Sequence, residues 1–174
     1  MDAAARRAET LAALITHQDT AGLGAVDPYL MLAQAELESG RFTSRLTVED
    51  NNAWGMKRAR VRPNTAIGES PSGFAVYASL SEGARDYLLR QEHFGIPNTD
   101  DPDEYMQATV ASGYVVGDPD YIAKWRALYT PGQPRPVTDG GGITFPPGPP
   151  PPLPTQQAGT NLLLLAALIY LLTR

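Results

Sequence analysis

The chain has 174 residues, a net charge of −5, two histidines and no cysteine. That length suits one domain with an appendage, and the missing cysteines exclude disulfides, thiolate metal sites and a cysteine nucleophile. The acidic balance argues against nucleic-acid binding; His17 and His93 lie far apart without partners at ligand spacing, so no metal or other cofactor is expected.

The first residues do not read as a signal peptide, because acidic residues and amphipathic spacing replace a continuous apolar core. Instead, about Ala3 to His17 reads as a helix with Leu11, Leu14 and Ile15 on its apolar face. Gly22 and Gly24 break it. Asp27-Pro28 reads as a helix cap followed by proline in the first turn, opening a second helix that runs to about Ser39. Leu30, Ala33, Gln34 and Leu37 form its stripe, and Gly40 is its stop. Glu38 therefore stands at the buried end of a helix, where apolar surroundings can keep a carboxyl protonated. Residues 42 to 52 read as irregular and polar, and end in Asn51-Asn52-Ala53-Trp54-Gly55. An exposed tryptophan beside amides is a platform for a sugar ring. Glu38 and this stretch together suggest a glycosidase cleft with Glu38 as the proton donor.

Beyond it, a strand containing Val61, Thr65 and Ile67, the turn Glu69-Ser70-Pro71-Ser72-Gly73, and a returning strand Phe74-Ala75-Val76-Tyr77 predict a small β-hairpin. The capping box Ser79-Leu80-Ser81-Glu82 opens a third helix. Asp101-Pro102 opens a fourth, ended by Gly113, and Asp118-Pro119 a fifth, with Trp125 at core spacing. Lys57, Arg58, Arg60 and Arg62 form a basic run, read as a solvated strand face in preference to a contact with peptide carboxylates. The expected fold is mainly α, with five or so helices around a cleft, a small β-hairpin, and a domain boundary near residue 130.

From Pro131 to Pro154 the composition changes: ten prolines and the run Gly140-Gly141-Gly142 cannot build a core. Residues 131–158 read as a disordered spacer, with polyproline II favoured at Pro149 to Pro152. Leu162 to Leu172 is uninterrupted apolar sequence, yet as a helix it would reach only about 16 Å. That is short of the ~30 Å of a bilayer core. Residues 159–174 are expected to associate with a lipid bilayer, or else to be buried in a hydrophobic partner subunit.

Four blocks carry a family resemblance: AQAELESG, NNAWGMK, GFAVYASLSEGARDYL and ASGYVVGDPDYIAKWRALY. In this order they resemble the bacterial endo-β-N-acetylglucosaminidases, peptidoglycan hydrolases of the lysozyme superfamily similar to flagellar and autolysin glucosaminidase domains. The resemblance covers about Ala3 to Tyr129. It implies an α+β lysozyme-like fold, peptidoglycan glycan strands as substrate, and a cut that leaves N-acetylglucosamine at the new reducing end. Glu38 falls on the family's catalytic glutamate, Asn51, Asn52, Trp54, Gly55, Met56 and Lys57 on its Asn-Asn-aromatic-Gly-hydrophobic-Lys block, and Tyr114, after Gly113, on its cleft-facing tyrosine. Phe74, Tyr77 and Tyr121 join Asn51, Asn52 and Trp54 as expected sugar contacts, and Tyr114 joins Glu38 among the expected catalytic residues. Two departures stand out. The family often has Gly-aromatic-Gly after Glu-Ser, whereas Gly40 is followed here by Arg41-Phe42. The segment between Lys57 and Phe74 is also short, leaving Glu69 as its one carboxylate and the expected second acid, with Glu49 and Asp50 as rivals. The alternatives are a lytic transglycosylase and a non-catalytic wall-binding module of an envelope or virion. The layout of domain, spacer and apolar tail fits a membrane-associated enzyme, carried in a virion or otherwise in the bacterial envelope.

Overall fold

The computed structural model describes residues 1–133, together with the two short strands Val137–Thr138 and Ile143–Thr144. The helix α1 (Ala3–His17) is capped by Asp2, whose carboxylate accepts from Ala5 N at 2.8 Å. It is amphipathic and packs its Leu11 and Leu14 face onto two neighbouring helices, Pro28–Glu38 and Leu80–His93. The next helix, α2 (Pro28–Glu38), has Asp27 as its cap and proline in its first turn, and residues Pro28 to Ala35 are all buried. A helix apolar on every side belongs in the middle of a domain. Here α1 and α6 (Tyr121–Leu128) pack against it, and the Trp125 indole N–H donates to Leu30 O at 2.8 Å.

Glu38 is the last residue of α2, where the chain leaves the core. Just past Ser39 the backbone turns left-handed and stays so: Gly40, Arg41 and Phe42 have φ of 56°, 58° and 63° in succession. Only glycine visits this region freely; it costs other residues about 1–2 kcal/mol. Ser39 holds the turn in place. Its hydroxyl accepts from Phe42 N at 2.8 Å, its carbonyl accepts from Ser44 N at 2.9 Å, and the Phe42 ring enters the core.

The segment expected to be irregular contains a further helix, α3 (Arg45–Asp50), with Ser44 as its cap and Asn51 left-handed at its end. The hairpin is present but smaller and later than expected. Its strands are β1 (Gly68–Glu69) and β2 (Ala75–Val76), antiparallel with Gly68 opposite Val76, and an isolated bridge joins Lys57 to Phe74. Val61 and Ile67 are exposed and lie outside it.

Ser79 caps α4 (Leu80–His93) through Glu82 N, and Asp101 caps α5 (Pro102–Ala111) through Asp103 N and Glu104 N, as the sequence predicts. At α6 the start slips by two residues, because Asp118 turns its carboxylate to Asp120 N and to Lys124 instead of capping the helix. The small lobe around β1 and β2 is tied to α4 by a buried ion pair: Arg62 donates to Asp86 at 2.5 Å, and the Tyr77 hydroxyl donates to the same carboxylate at 2.6 Å.

Val137–Thr138 (β3) and Ile143–Thr144 (β4) pair antiparallel within the span read as a spacer. The remaining expectations for that span and for the apolar tail fall outside the described residues.

Candidate active site

Where α2 ends, a cleft of about 370 Å³ opens. Glu38 lines one side, and the strip from Trp54 to Arg62, except Arg60, lines another. The last turn of α4, with Arg90, His93 and Phe94, and the loop Ser112–Tyr114 after α5 complete it. Gly55 brings backbone up to the carboxylate: a Cβ there would stand 4.0 Å from Glu38 Oε2.

Glu38 is half-buried, and burial pushes its carboxyl above the usual carboxylate range; the Tyr121 hydroxyl, donating to Oε1 at 2.5 Å, pulls it partly back. The loss of hydration penalises the charged form, whereas a donated hydrogen bond favours it.

Tyr121 is itself fixed by a buried chain of hydrogen bonds. Its oxygen accepts from Gln34 Nε2 at 3.1 Å, and Gln34 Oε1 accepts from Tyr87 at 2.6 Å. Gln91 Nε2 donates to Tyr87 at 3.1 Å, to Tyr105 at 2.8 Å and to Thr109 at 3.0 Å, and Gln91 Oε1 accepts from Arg90 at 2.7 Å. The chain thus runs under the cleft from its carboxylate to a guanidinium on the far wall. Because every amide and hydroxyl in it has a partner, the orientation of the donor on Glu38 is set by the fold.

Of the expected site residues, Trp54 and Tyr114 line this cleft along with Glu38. Trp54 is not the exposed platform expected. It is 2% exposed and stacked on Tyr87 at 4.6 Å, so it forms the floor. Tyr114 is half-buried, donates its hydroxyl to Trp54 O at 2.7 Å, and leans on Tyr87 and Tyr121.

Asn52 and Tyr77 are corrections. They are 1% and 2% exposed and, unlike Trp54, neither lines the cleft. The Asn52 amide donates to Met56 O and Ala75 O and accepts from Met56 N at 2.9 Å, pinning the Trp54-Gly55 turn to β2. Asn51 likewise donates to Tyr77 O at 3.0 Å. Tyr121 is buried, does not line the cleft, and reaches the site through Glu38 and Tyr114. Phe74 lies under the Lys57 ammonium, 3.7 Å from its ring centre, and does not line the cleft. Neither does Glu69, whose carboxylate pairs with Arg60, nor Glu49, which pairs with Arg45, nor Asp50. Glu38 is the one carboxylate among the lining residues.

The basic run is not simply a solvated face: Lys57, Arg58 and Arg62 all line the cleft. Sequence reasoning also missed Arg90 and His93. Their three-residue spacing in the last turn of a helix is the signal that puts both on one face.

The pattern of the family described as mannosyl-glycoprotein endo-beta-N-acetylglucosaminidase matches residues 16–131. Among solved structures, the fold is similar to a chain of a type VI secretion system effector–immunity complex from Pseudomonas protegens. That match has 25% identity and a TM-score of 0.55, covering 72% of this chain and 92% of the other. The glycoside hydrolase domain of FlgJ from Salmonella typhimurium matches with 25% identity and a TM-score of 0.51, covering 74% and 86%. The catalytic domain of the autolysin Auto from Listeria monocytogenes has the same fold at 18% identity, with a TM-score of 0.54 and coverage of 72% and 81%. No curated protein matches the chain.

Proposed function

The chain belongs to the mannosyl-glycoprotein endo-beta-N-acetylglucosaminidase family and is a glycoside hydrolase acting on peptidoglycan, and from that premise we propose that Glu38 is its general acid. The observation that carries this reading is a half-buried carboxyl, raised in pKa by burial, on the wall of the cleft. Glu38 gives its proton to the glycosidic oxygen as the bond to the anomeric carbon breaks. The electron pair leaves with that oxygen, and positive charge develops on the sugar. A water then adds to the anomeric carbon and its proton returns to Glu38. Tyr121 is a positioning residue: it holds one carboxylate oxygen and leaves the other toward Gly55 and the cleft. Trp54 and Tyr114 supply floor and wall for the sugar rings.

The charge developing opposite Glu38 needs a partner. Retaining enzymes place a second carboxylate about 5–5.5 Å away, and inverting ones leave about 6.5–9.5 Å for water. With Glu69 held by Arg60 and not among the lining residues, attack by the substrate's own acetamide is the better-supported route. The same observation favours one alternative, a lytic transglycosylase, in which a sugar hydroxyl attacks in place of water. Mass spectrometry of digested wall separates them, since hydrolysis leaves free reducing ends and transglycosylation leaves 1,6-anhydro ends.

The deciding experiment is Glu38→Gln in the full chain. It is expected to fold and to lose on the order of 10²–10⁴ in rate on purified peptidoglycan. Undiminished digestion by that variant would remove Glu38 from the mechanism.

A wall-cutting enzyme works at the bacterial envelope. No helix among the described residues is long and apolar enough to cross a membrane. Residues 159–174 are proposed to hold the enzyme at a bilayer, or in a hydrophobic partner, in the envelope or in a virion that must breach the wall. The support for this is their uninterrupted apolar sequence after a proline-rich spacer.

A further inference from the structure

The chain as a whole carries a charge of −5, yet the cleft has the opposite sign. Lys57, Arg58, Arg62, Arg90 and His93 line it against the single carboxylate of Glu38. These groups are not equivalent. Arg62 is taken up by Asp86, with both side chains almost fully buried. Lys57 donates to Ser72 O at 2.5 Å and covers Phe74, where its charge stays in solvent.

Arg90 is different. It is 8% exposed, and its guanidinium donates to Gln91 Oε1 and to Ser112 Oγ at 2.8 Å. It lies 4.6 Å from the Phe94 ring centre and 4.7 Å from that of Tyr114. No carboxylate among the described residues pairs with it, and burial draws its pKa below the usual arginine range. A cation removed from water with no counter-charge is costly to hold. Arg58 is half-buried, lines the cleft, and has no hydrogen bond or ion pair among the described residues. Two guanidiniums therefore line one cleft with their charge uncompensated by the protein.

We propose that Arg58, reinforced by the field of Arg90, forms a subsite for a carboxylate carried by the glycan strand beside the bond being cut. The inference rests on the hydrolase reading for its substrate. A guanidinium offers parallel N–H donors that match a carboxylate's two oxygens, so the substrate supplies the missing negative charge. Peptidoglycan carries such groups in two places: on the lactyl ether of its muramic acid when no peptide is attached, and on the stem peptide when one is. An uncharged chitin chain has neither. The subsite selects the acidic strand and sets its register relative to Glu38.

The test is calorimetric binding to the full chain carrying Glu38→Gln, so that the ligands survive the measurement. Three probes are compared: soluble glycan strands with stem peptides, the same strands with their carboxyls converted to amides, and peptide-free strands bearing lactyl carboxylates. The carboxylate-bearing probes are expected to bind on the order of tenfold tighter than the amidated one, the worth of one charge-assisted contact. Adding Arg58→Gln should erase that difference and leave affinity for the amidated strands unchanged, while Arg58→Lys restores part of it. Whichever carboxylated probe loses its advantage identifies the source of the carboxylate. Equal binding of all three probes to the Glu38→Gln chain would overturn the proposal, as would a loss on Arg58→Gln that is the same for charged and amidated strands. Product formation in these mixtures is a separate readout. Cleavage by the Glu38→Gln chain would count against the general acid alone and leave the binding comparison standing.

Discussion

Two opposed influences meet at the Glu38 carboxyl. Burial raises its pKa, the Tyr121 hydrogen bond lowers it, and the Asp118 charge adds a smaller upward push. Tyr121→Phe removes the one influence that favours the ionised form, so the pKa should rise further. If the protonated form is the active one, activity falls as pH climbs through this pKa. The alkaline limb of the pH–rate profile is therefore expected to move to higher pH, with a far smaller loss than Glu38→Gln produces. An unmoved limb would give Tyr121 a structural role only. The residues just past Glu38 make a second prediction. Arg41 is exposed with φ of 58°, so Arg41→Gly should stabilise the fold by roughly 0.5–1 kcal/mol after allowing for the freer unfolded chain. Phe42→Gly relieves similar strain but empties a core position, and should cost about 3 kcal/mol or more. Thermal denaturation measures both. Glu38's place at a helix end was legible, since Asp27-Pro28 and Ser39-Gly40 mark the two termini. The role of Asn52 was not, because an amide beside tryptophan reads alike whether it faces a sugar or its own backbone.

Among the elements, α4 is the one most tightly fitted to the small lobe. A Cβ at Gly83 would lie 2.5 Å from Asn51 O and 3.3 Å from Tyr77 Cδ2. Gly-to-Ala in a helix normally gains up to about 1 kcal/mol in propensity. Here Gly83→Ala must push α4 away from the backbone at the end of α3, so overpacking of about 1–3 kcal/mol should outweigh that gain. Urea denaturation is expected to show a less stable protein; a more stable one would mean the lobe yields freely. The elements with end signals were readable: the caps of α2, α4 and α5 are side chains that the sequence displays. Of α3's six residues only Thr47 is buried, so no hydrophobic period announces it. The hairpin strands are two residues each, too short for alternation to fix their register.

At the scale of the molecule, a wall-cutting domain is followed by a proline-rich span and an apolar end. If that end binds lipid, the full chain should float with phospholipid vesicles in a density gradient. A chain stopped after Pro154 should stay at the bottom and still digest solubilised peptidoglycan at the same rate. A full chain that remains at the bottom as a discrete oligomer would point to the protein partner instead. The helical class of the domain was legible from its repeated Asp-Pro and Ser-x-x-Glu starts. The composition of the cleft was not. Its wall is assembled from the α2 end, a loop near Trp54, the last turn of α4 and the segment after α5, and only folding brings these together.

The chain contains two tryptophans, and the fold gives them different work. Trp125 is fully enclosed and bonded to α2, so its emission chiefly reports unfolding. Trp54 floors the cleft against Tyr87, so a saccharide settling there changes the surroundings of that indole directly. The molecule thus carries its own optical gauge of occupancy, and with Trp125→Phe the signal comes from the cleft without any dye or label.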